Sequence, residues 1–134
     1  MAKSRGRIPQ LSDFAALPRC FYRTPEYRSL SLGAKALLVE FALSYTGRNN
    51  GNLEMTADQA HEAGIGSHQT FQKYKTELIN AGWIVVTRQG GLENRCNLYA
   101  LTYLPIGDTG RRYDHPYKPS PAPLHLWKAA NAEQ

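Results

Sequence analysis

Cysteine is scarce in this sequence, which contains only Cys20 and Cys96 among its 134 residues. Two such isolated thiols form neither a disulfide framework nor a Cys-x-x-Cys metal motif. Long apolar runs are also missing, since the longest stretches, near residues 36–39 and 83–86, are far too short to cross a bilayer. No apolar run follows the basic first residues, so no signal peptide is predicted. These absences indicate a reduced, cytoplasmic protein with no membrane partner.

Sequence motifs for catalysis and for metal binding are missing as well. The chain has no phosphate-binding GxxxxGK[ST] loop, no GxSxG nucleophile turn and no HExxH zinc motif. Its acidic residues are scattered singly, so they provide no paired carboxylates for a divalent ion. We therefore expect neither an enzyme nor a protein that needs a metal or another cofactor.

Positive charge is concentrated near the start of the chain, although the whole sequence has a net charge of only +5. Residues 1–28 contain six basic and two acidic side chains, whereas residues 29–105 contain six of each. Residues 106–134 add four basic and three acidic ones, together with several prolines. This division predicts a basic N-terminal arm (1–28), a folded domain (29–105) and a proline-rich tail (106–134). A basic arm beside a folded domain is typical of proteins that bind polyanions, since cations near phosphates release condensed counterions.

The first long helix is predicted over residues 31–44, where Ser31 is a suitable N-cap. Apolar residues recur at helical spacing along it, and three further apolar residues broaden the face that they form. The spaced residues are Leu32, Ala36, Val39 and Leu43, and the broadening ones are Leu37, Leu38 and Phe41. With so much apolar surface, this helix is expected to be largely buried.

Two further helices are predicted after a short strand over residues 52–55. Thr56 and Gln59 have the spacing of a capping box, which predicts that a short helix begins there and stops at Gly64. After a glycine-containing link, Ser67 is the expected N-cap of a longer third helix. One face of this third helix is apolar and the opposite face is polar. The apolar side carries Phe71, Tyr74, Leu78 and Ala81, and the polar side carries His68, Gln69, Gln72, Lys73 and Thr76.

A β-hairpin is predicted after the third helix, with strands over residues 83–88 and 95–103 joined by a glycine-containing turn. In the tail, residues 124–129 are expected to form a last short helix. Leaving Trp127 in water is unfavourable, so we expect it to pack on its own domain or on a second copy. The predicted core consists of Leu37, Leu38, Phe41, Leu53, Ala60, Phe71, Leu78, Ile84, Val86, Leu98 and Ala100.

A short helix, a glycine-bearing turn and a second helix with a polar outer face form a helix-turn-helix. Residues 31–102 resemble the winged-helix DNA-binding domains of phage and plasmid regulators and of replication initiators. The similarity lies in the segments YTGRNNG, TADQAHEAGIGSHQTFQKYKTELINAGWI and VVTRQGG…RCNLYALT, and it covers a little over half of the chain. It implies an α+β winged helix-turn-helix fold, with a three-helix core and the β-hairpin as the wing.

The resemblance also implies which residues contact DNA. In such domains, the first two turns of the recognition helix face the DNA, and the wing reaches a neighbouring phosphate. The helix has no arginine, the commonest side chain to contact guanine. Discrimination would therefore rest on Gln69 or Gln72, which can pair with adenine, and on Lys73 or His68. The implied contacts are Ser67, His68, Gln69, Gln72 and Lys73 on the helix, and Arg88, Asn94 and Arg95 on the wing.

The N-terminal arm adds a second candidate contact. Arg5 and Arg7 belong to the segment RGRIP, which is close to the RGRP core of an AT-hook but has an isoleucine before the proline. Narrow A·T-rich minor grooves attract arginine by their stronger negative potential. The two arginines are therefore candidate minor-groove contacts.

The sequence thus predicts a phage or plasmid protein that binds double-stranded DNA in transcriptional regulation or DNA replication. The alternative is a phage-encoded protein-interaction module that uses the winged helix to bind and inhibit a host defence protein. The basic arm and the wing arginines favour DNA, whereas the neutral middle segment and the arginine-free helix favour the alternative. Whether the protein forms a homodimer stays open at this point.

Overall fold

The computed structural model describes residues 13–91, 96–108, 110, 113–114 and 116–128. It shows a small α+β fold, as predicted, in which helices pack against a two-stranded antiparallel hairpin. Within these residues, no helix has both the length and the apolar character needed to cross a bilayer. In chain order, the elements are a 3₁₀ helix Arg19–Arg23, α1 (Pro25–Arg28), α2 (Leu32–Ser44), α3 (Ala57–Glu62), α4 (His68–Asn80), β1 (Ile84–Arg88) and β2 (Leu98–Leu101).

Part of the predicted N-terminal arm is folded. The 3₁₀ helix and α1 both lie within residues 1–28, and Phe21 is only 4% exposed. Its ring meets those of Trp83, Tyr103 and Trp127 edge-on, at centroid distances of 5.0, 4.9 and 4.8 Å. The 3₁₀ helix is therefore part of the folded domain. The helix α1 joins the core through Tyr27, whose ring meets that of Trp83 edge-on at 6.1 Å.

The helix α2 is apolar on both sides, but the fold buries only one of them. Ser31 is the N-cap, as predicted, and its hydroxyl accepts a hydrogen bond from Ala34 N at 3.1 Å. The prediction that the regularly spaced residues, from Leu32 to Leu43, lie in a largely buried face is wrong. Periodicity alone does not tell which side of an apolar helix meets the core. The buried side consists of Ala34, Leu37, Leu38, Phe41 and Ala42, and the exposed side of Leu32, Ala36, Val39 and Leu43.

The hairpin pairs β1 with β2 antiparallel, as predicted, with a bulge between Val86 and Arg88. Beside it, the strand expected over residues 52–55 shortens to a single bridge between Leu53 and Tyr99. The backbone groups of these two residues exchange hydrogen bonds of 3.1 and 2.9 Å. The bridge ties the segment between α2 and α3 to the hairpin.

One main core joins the helices to the hairpin. All of the predicted core residues are buried except Val86, which is half-buried against the core. The prediction lacked three further aromatic residues of this core, which are Phe21, Tyr99 and Tyr103. Trp83 is completely buried, because the rings of Phe21, Tyr27 and Trp127 pack around it.

The proline-rich tail packs back on the domain. His125 N donates to Thr102 O at 2.7 Å, and the Trp127 ring stacks on Trp83 with centroids 4.9 Å apart and 20° between the planes. Trp127 thus packs on its own domain, which confirms that it is not left in water. In place of the predicted short helix, the described part of this segment forms a turn closed by a hydrogen bond from Lys128 N to His125 O. His125 has a φ of +50°, which a right-handed helix excludes.

Glu77 fastens α4 to the beginning of α2. Its carboxylate accepts hydrogen bonds from the backbone N and from the hydroxyl of Ser31, both at 2.7 Å. Because these bonds involve a charged group and satisfy a free amide at a helix N-terminus, we expect Glu77→Ala to lower the free energy of unfolding by about 1.5–3 kcal/mol. Urea denaturation measures the change, and Glu62→Ala, which removes an exposed carboxylate from α3, is the matched control. If Glu77→Ala were as stable as this control, the two hydrogen bonds would contribute nothing to the free energy of unfolding.

Candidate nucleic-acid interface

The first helix of the candidate interface, α3, begins at the capping box that the sequence predicts. Thr56 Oγ1 accepts a hydrogen bond from Gln59 N at 3.1 Å, and Gln59 Oε1 accepts one from Thr56 N at 2.8 Å. These reciprocal bonds satisfy two amides at the helix N-terminus. Ala60 is completely buried on the inner side, so this short helix is held both by its cap and by the core.

The turn between α3 and α4 depends on two glycines. Gly64 has a φ of +89° and Gly66 a φ of +123°, a region that residues with a Cβ rarely adopt. Between them, Ile65 N donates to Ala60 O at 2.9 Å, and the Ile65 side chain packs against the core. The His61 ring closes the turn from the other side, with Nδ1 3.0 Å from Gly66 O. These contacts determine how α4 is placed relative to α3.

The outer face of α4 is polar and exposed. Ser67 caps the helix, since its hydroxyl accepts a hydrogen bond from Thr70 N at 3.2 Å. Among the outer side chains, the amides can both donate and accept hydrogen bonds, one lysine carries a positive charge, and none is a carboxylate. The exposed residues that form this outer face are Gln69, Gln72, Lys73, Thr76 and Asn80.

His68, the first residue of α4, is paired with Asp58 of α3. The imidazole Nε2 lies 3.0 Å from Asp58 Oδ1, and the two side chains are 70% and 87% exposed. The pairing orients His68 at the surface, where the resemblance places a DNA contact. The carboxylate beside it opposes the approach of a phosphate to this end of α4 unless the imidazole is protonated.

The two lysines of α4 lie in different environments. Lys73 is exposed, and its Nζ is 5.7 Å from the centroid of the Tyr74 ring. Lys75 is half-buried beside Phe71, with Nζ 5.4 Å from that ring, and this burial lowers the pKa of its ammonium group. Lys73 is therefore the more exposed of the two lysines of α4.

Arg88, at the end of β1, makes a hydrogen bond within the hairpin. Arg88 is half-buried, and its Nη2 donates to Cys96 O at 3.2 Å, which links the two chain segments beside the hairpin turn. Next to it, Gln89 N donates to a carboxylate oxygen of Asp114 at 2.9 Å, so a tail carboxylate lies at the hairpin. The other predicted contacts, Asn94 and Arg95 in the turn and Arg5 and Arg7 in the arm, lie outside the described residues.

Sequence reasoning missed three residues of this surface. Asn80 lies on the same side of α4 as Gln69 and Thr76, and continuing the helical spacing by one more turn finds it. Asp58 and Asp114 come from other segments of the chain. Their positions depend on contacts between elements, which leave no local signal in the sequence.

Comparisons of the chain with protein-family models, with curated proteins and with solved structures find no match. In the described ranges, no three histidine, cysteine, aspartate or glutamate side chains come close enough together to hold a metal ion. The outer face of α4 and its surroundings are therefore the features of the molecule that bear on function.

Proposed function

We propose that this protein is a winged-helix protein that binds double-stranded DNA in transcriptional regulation or DNA replication. In this proposal, α4 is the recognition helix and enters the major groove, which accepts one helix, while α3 braces it. The hairpin is the wing. The chain order of α2, the Leu53 bridge, α3, α4 and the hairpin supports this assignment of the elements.

The observation that carries the proposal is the composition of the outer face of α4. Gln69 and Gln72 present amides that can pair with adenine, and Lys73 can pair with a phosphate. The only carboxylate of α4, Glu77, is held by Ser31 and does not belong to this face. A helix face with donors, acceptors, one cation and no carboxylate suits the major groove, whereas a face that is merely solvated usually mixes charges of both signs.

A second candidate function is a protein-interaction module that inhibits a host protein. The exposed apolar side of α2 favours it, because contiguous exposed apolar residues are typical of protein contacts. Asp58 favours it too, since a carboxylate beside the first turn of α4 weakens the attraction to DNA. The two functions differ in their response to salt.

Titration of the full chain with fluorescently labelled DNA duplexes at two salt concentrations distinguishes the two functions. Binding through phosphates must weaken steeply between about 50 and 200 mM salt. Lys73→Ala should weaken binding to all duplexes and reduce the salt dependence by about one charge. Gln69→Ala and Gln72→Ala should instead change the discrimination between duplexes more than the overall affinity. Lys118→Ala, which removes an exposed lysine from the tail, is the matched control.

Two results would contradict the proposal. The first is the absence of any salt-dependent binding to duplex DNA, which would favour the protein-interaction module. The second is binding by the Lys73, Gln69 and Gln72 variants that equals that of the parent protein at both salt concentrations. In that case DNA would bind elsewhere, and α4 would not be the recognition helix.

A further inference from the structure

The exposed side of α2 is an apolar stripe, formed by Leu32, Ala36, Val39 and Leu43, that we call the α2 stripe. Leu32 is 84% exposed and Leu43 is 60% exposed. In the described part of the chain, nothing covers these two leucines, because the core lies on the opposite side of the helix. A row of exposed apolar side chains is unfavourable in water, and an interface would bury them.

The spacing of the α2 stripe is that of a coiled-coil seam. Its residues follow one another at intervals of four, three and four positions, which is the alternation of a and d positions in a heptad. Such a stripe is self-complementary, since the same residues of a second copy can interdigitate with it about a two-fold axis. The small Ala36 in its middle allows two helices to approach closely.

Two oppositely charged residues flank the α2 stripe. Lys35 occupies the g position on one side and Glu40 the e position on the other. The Lys35 ammonium lies over the ring of Tyr27, with Nζ 5.1 Å from the ring centroid. In the described protomer, neither residue takes part in an ion pair.

The separation of these charges favours a parallel pair of helices. In a parallel coiled coil, a residue at g faces the residue five positions later, at e, on the other helix, and Lys35 and Glu40 have this separation. In an antiparallel pair, g faces g and e faces e, so Lys35 and Glu40 would lie on opposite edges of the seam and could not pair. The two charges therefore pair with those of a second copy only when the helices are parallel.

We propose that α2 is a homodimer interface, in which the α2 stripes of two copies pack in parallel and Lys35 of each copy pairs with Glu40 of the other. Four side chains bury less than the roughly 800 Å² per partner of a standard interface, so the dimer is weak, with a dissociation constant in the micromolar range. The dimer does not depend on whether the protein binds DNA.

Sedimentation velocity of the full chain over a range of concentrations tests this dimer. We expect a reversible equilibrium between monomer and dimer. Leu43→Glu should raise the dissociation constant at least about tenfold, because it places an unpaired carboxylate in the apolar seam. Phe14→Glu, at a position that is 77% exposed and lies outside the α2 stripe, should leave the dissociation constant unchanged.

The charge pair gives a sharper test, because its effect depends on the orientation of the helices. Lys35→Glu alone and Glu40→Lys alone each place like charges at both contacts, so each should weaken the dimer several-fold. An equimolar mixture of the two variants restores opposite charges at both contacts and should dimerise about as well as the parent protein. Circular dichroism melting curves of each variant establish that it is folded.

Three results would overturn the proposal. One is a protein that stays monomeric even at millimolar concentration, which would leave the α2 stripe for a different partner. Another is a dimer that Leu43→Glu does not weaken, which would place the interface elsewhere. The third is single charge variants that dimerise as strongly as the parent protein, which would exclude the parallel pairing of Lys35 with Glu40.

Discussion

Replacing Trp127 by alanine should lower the free energy of unfolding by about 3–5 kcal/mol. The indole is only 6% exposed, stacks on Trp83 and meets Phe21 edge-on at 4.8 Å. Its removal opens a cavity between the N-terminal 3₁₀ helix, the segment before β1 and the tail. These three segments come from distant parts of the chain, so they cannot close the cavity without giving up their own contacts.

Urea denaturation followed by circular dichroism measures this loss. Lys118→Ala, which truncates an exposed side chain elsewhere in the tail, is the control and should change the free energy of unfolding by no more than about 0.5 kcal/mol. Trp127→Phe should recover part of the stability, because a smaller ring still contacts Trp83. An alanine variant that unfolds at the same urea concentration as the parent protein would show that the tail does not unfold together with the domain.

Replacing Asn50 by alanine should lower the free energy of unfolding by about 3 kcal/mol or more, although the side chain is small and polar. Asn50 is 1% exposed, and its Nδ2 is within hydrogen-bonding distance of the carbonyl oxygens of Leu101, Leu104 and Pro105, at 2.9, 3.2 and 3.0 Å. Its Oδ1 accepts a hydrogen bond from Leu101 N at 2.7 Å. Truncation leaves several buried backbone groups without a partner, and each such group costs about 1–3 kcal/mol.

Two further variants make the Asn50 test specific. Asn80→Ala removes an exposed amide from α4 and should leave the free energy of unfolding nearly unchanged. Asn50→Asp keeps the size of the side chain but points a carboxylate at carbonyl oxygens, which raises its pKa in the folded state above the ordinary value of about 3.9. Its destabilisation should therefore be smallest below about pH 4 and should grow as the pH rises. A loss of unfolding free energy that is the same at every pH would contradict this explanation of the Asn50 site.

The beginnings of the helices were predictable because their signals are local. Ser31, Thr56 and Ser67 were each expected to cap a helix, and each accepts a hydrogen bond from the amide three residues later. A cap needs only the residues within one turn, so its chemistry is visible in the sequence. The position of the hairpin was predictable for a similar reason, since a β-branched segment and a second apolar segment flank a glycine-containing turn.

The outer face of α4 was also predictable, whereas its surroundings were not. Once Ser67 determines where the helix begins, the helical period decides that Gln69, Gln72 and Lys73 share one side. Asp58 reaches His68 only because the turn at Gly64 folds α3 against α4, and that approach has no signature in either helix alone. The sequence therefore predicted which polar groups the helix presents but not the carboxylate that lies beside them.

The sequence by itself determined the order of α2, α3, α4 and the hairpin, the caps that begin these three helices and the polar side of α4. Only the tertiary structure decided which side of α2 is buried, because both sides of that helix are apolar and the choice depends on what packs against them. It also decided that Phe21 and Trp127 meet over Trp83, which joins both ends of the described chain to the core. Such contacts are long-range: their free energy comes from burying surfaces that lie far apart in the sequence, and no local pattern specifies which surfaces meet.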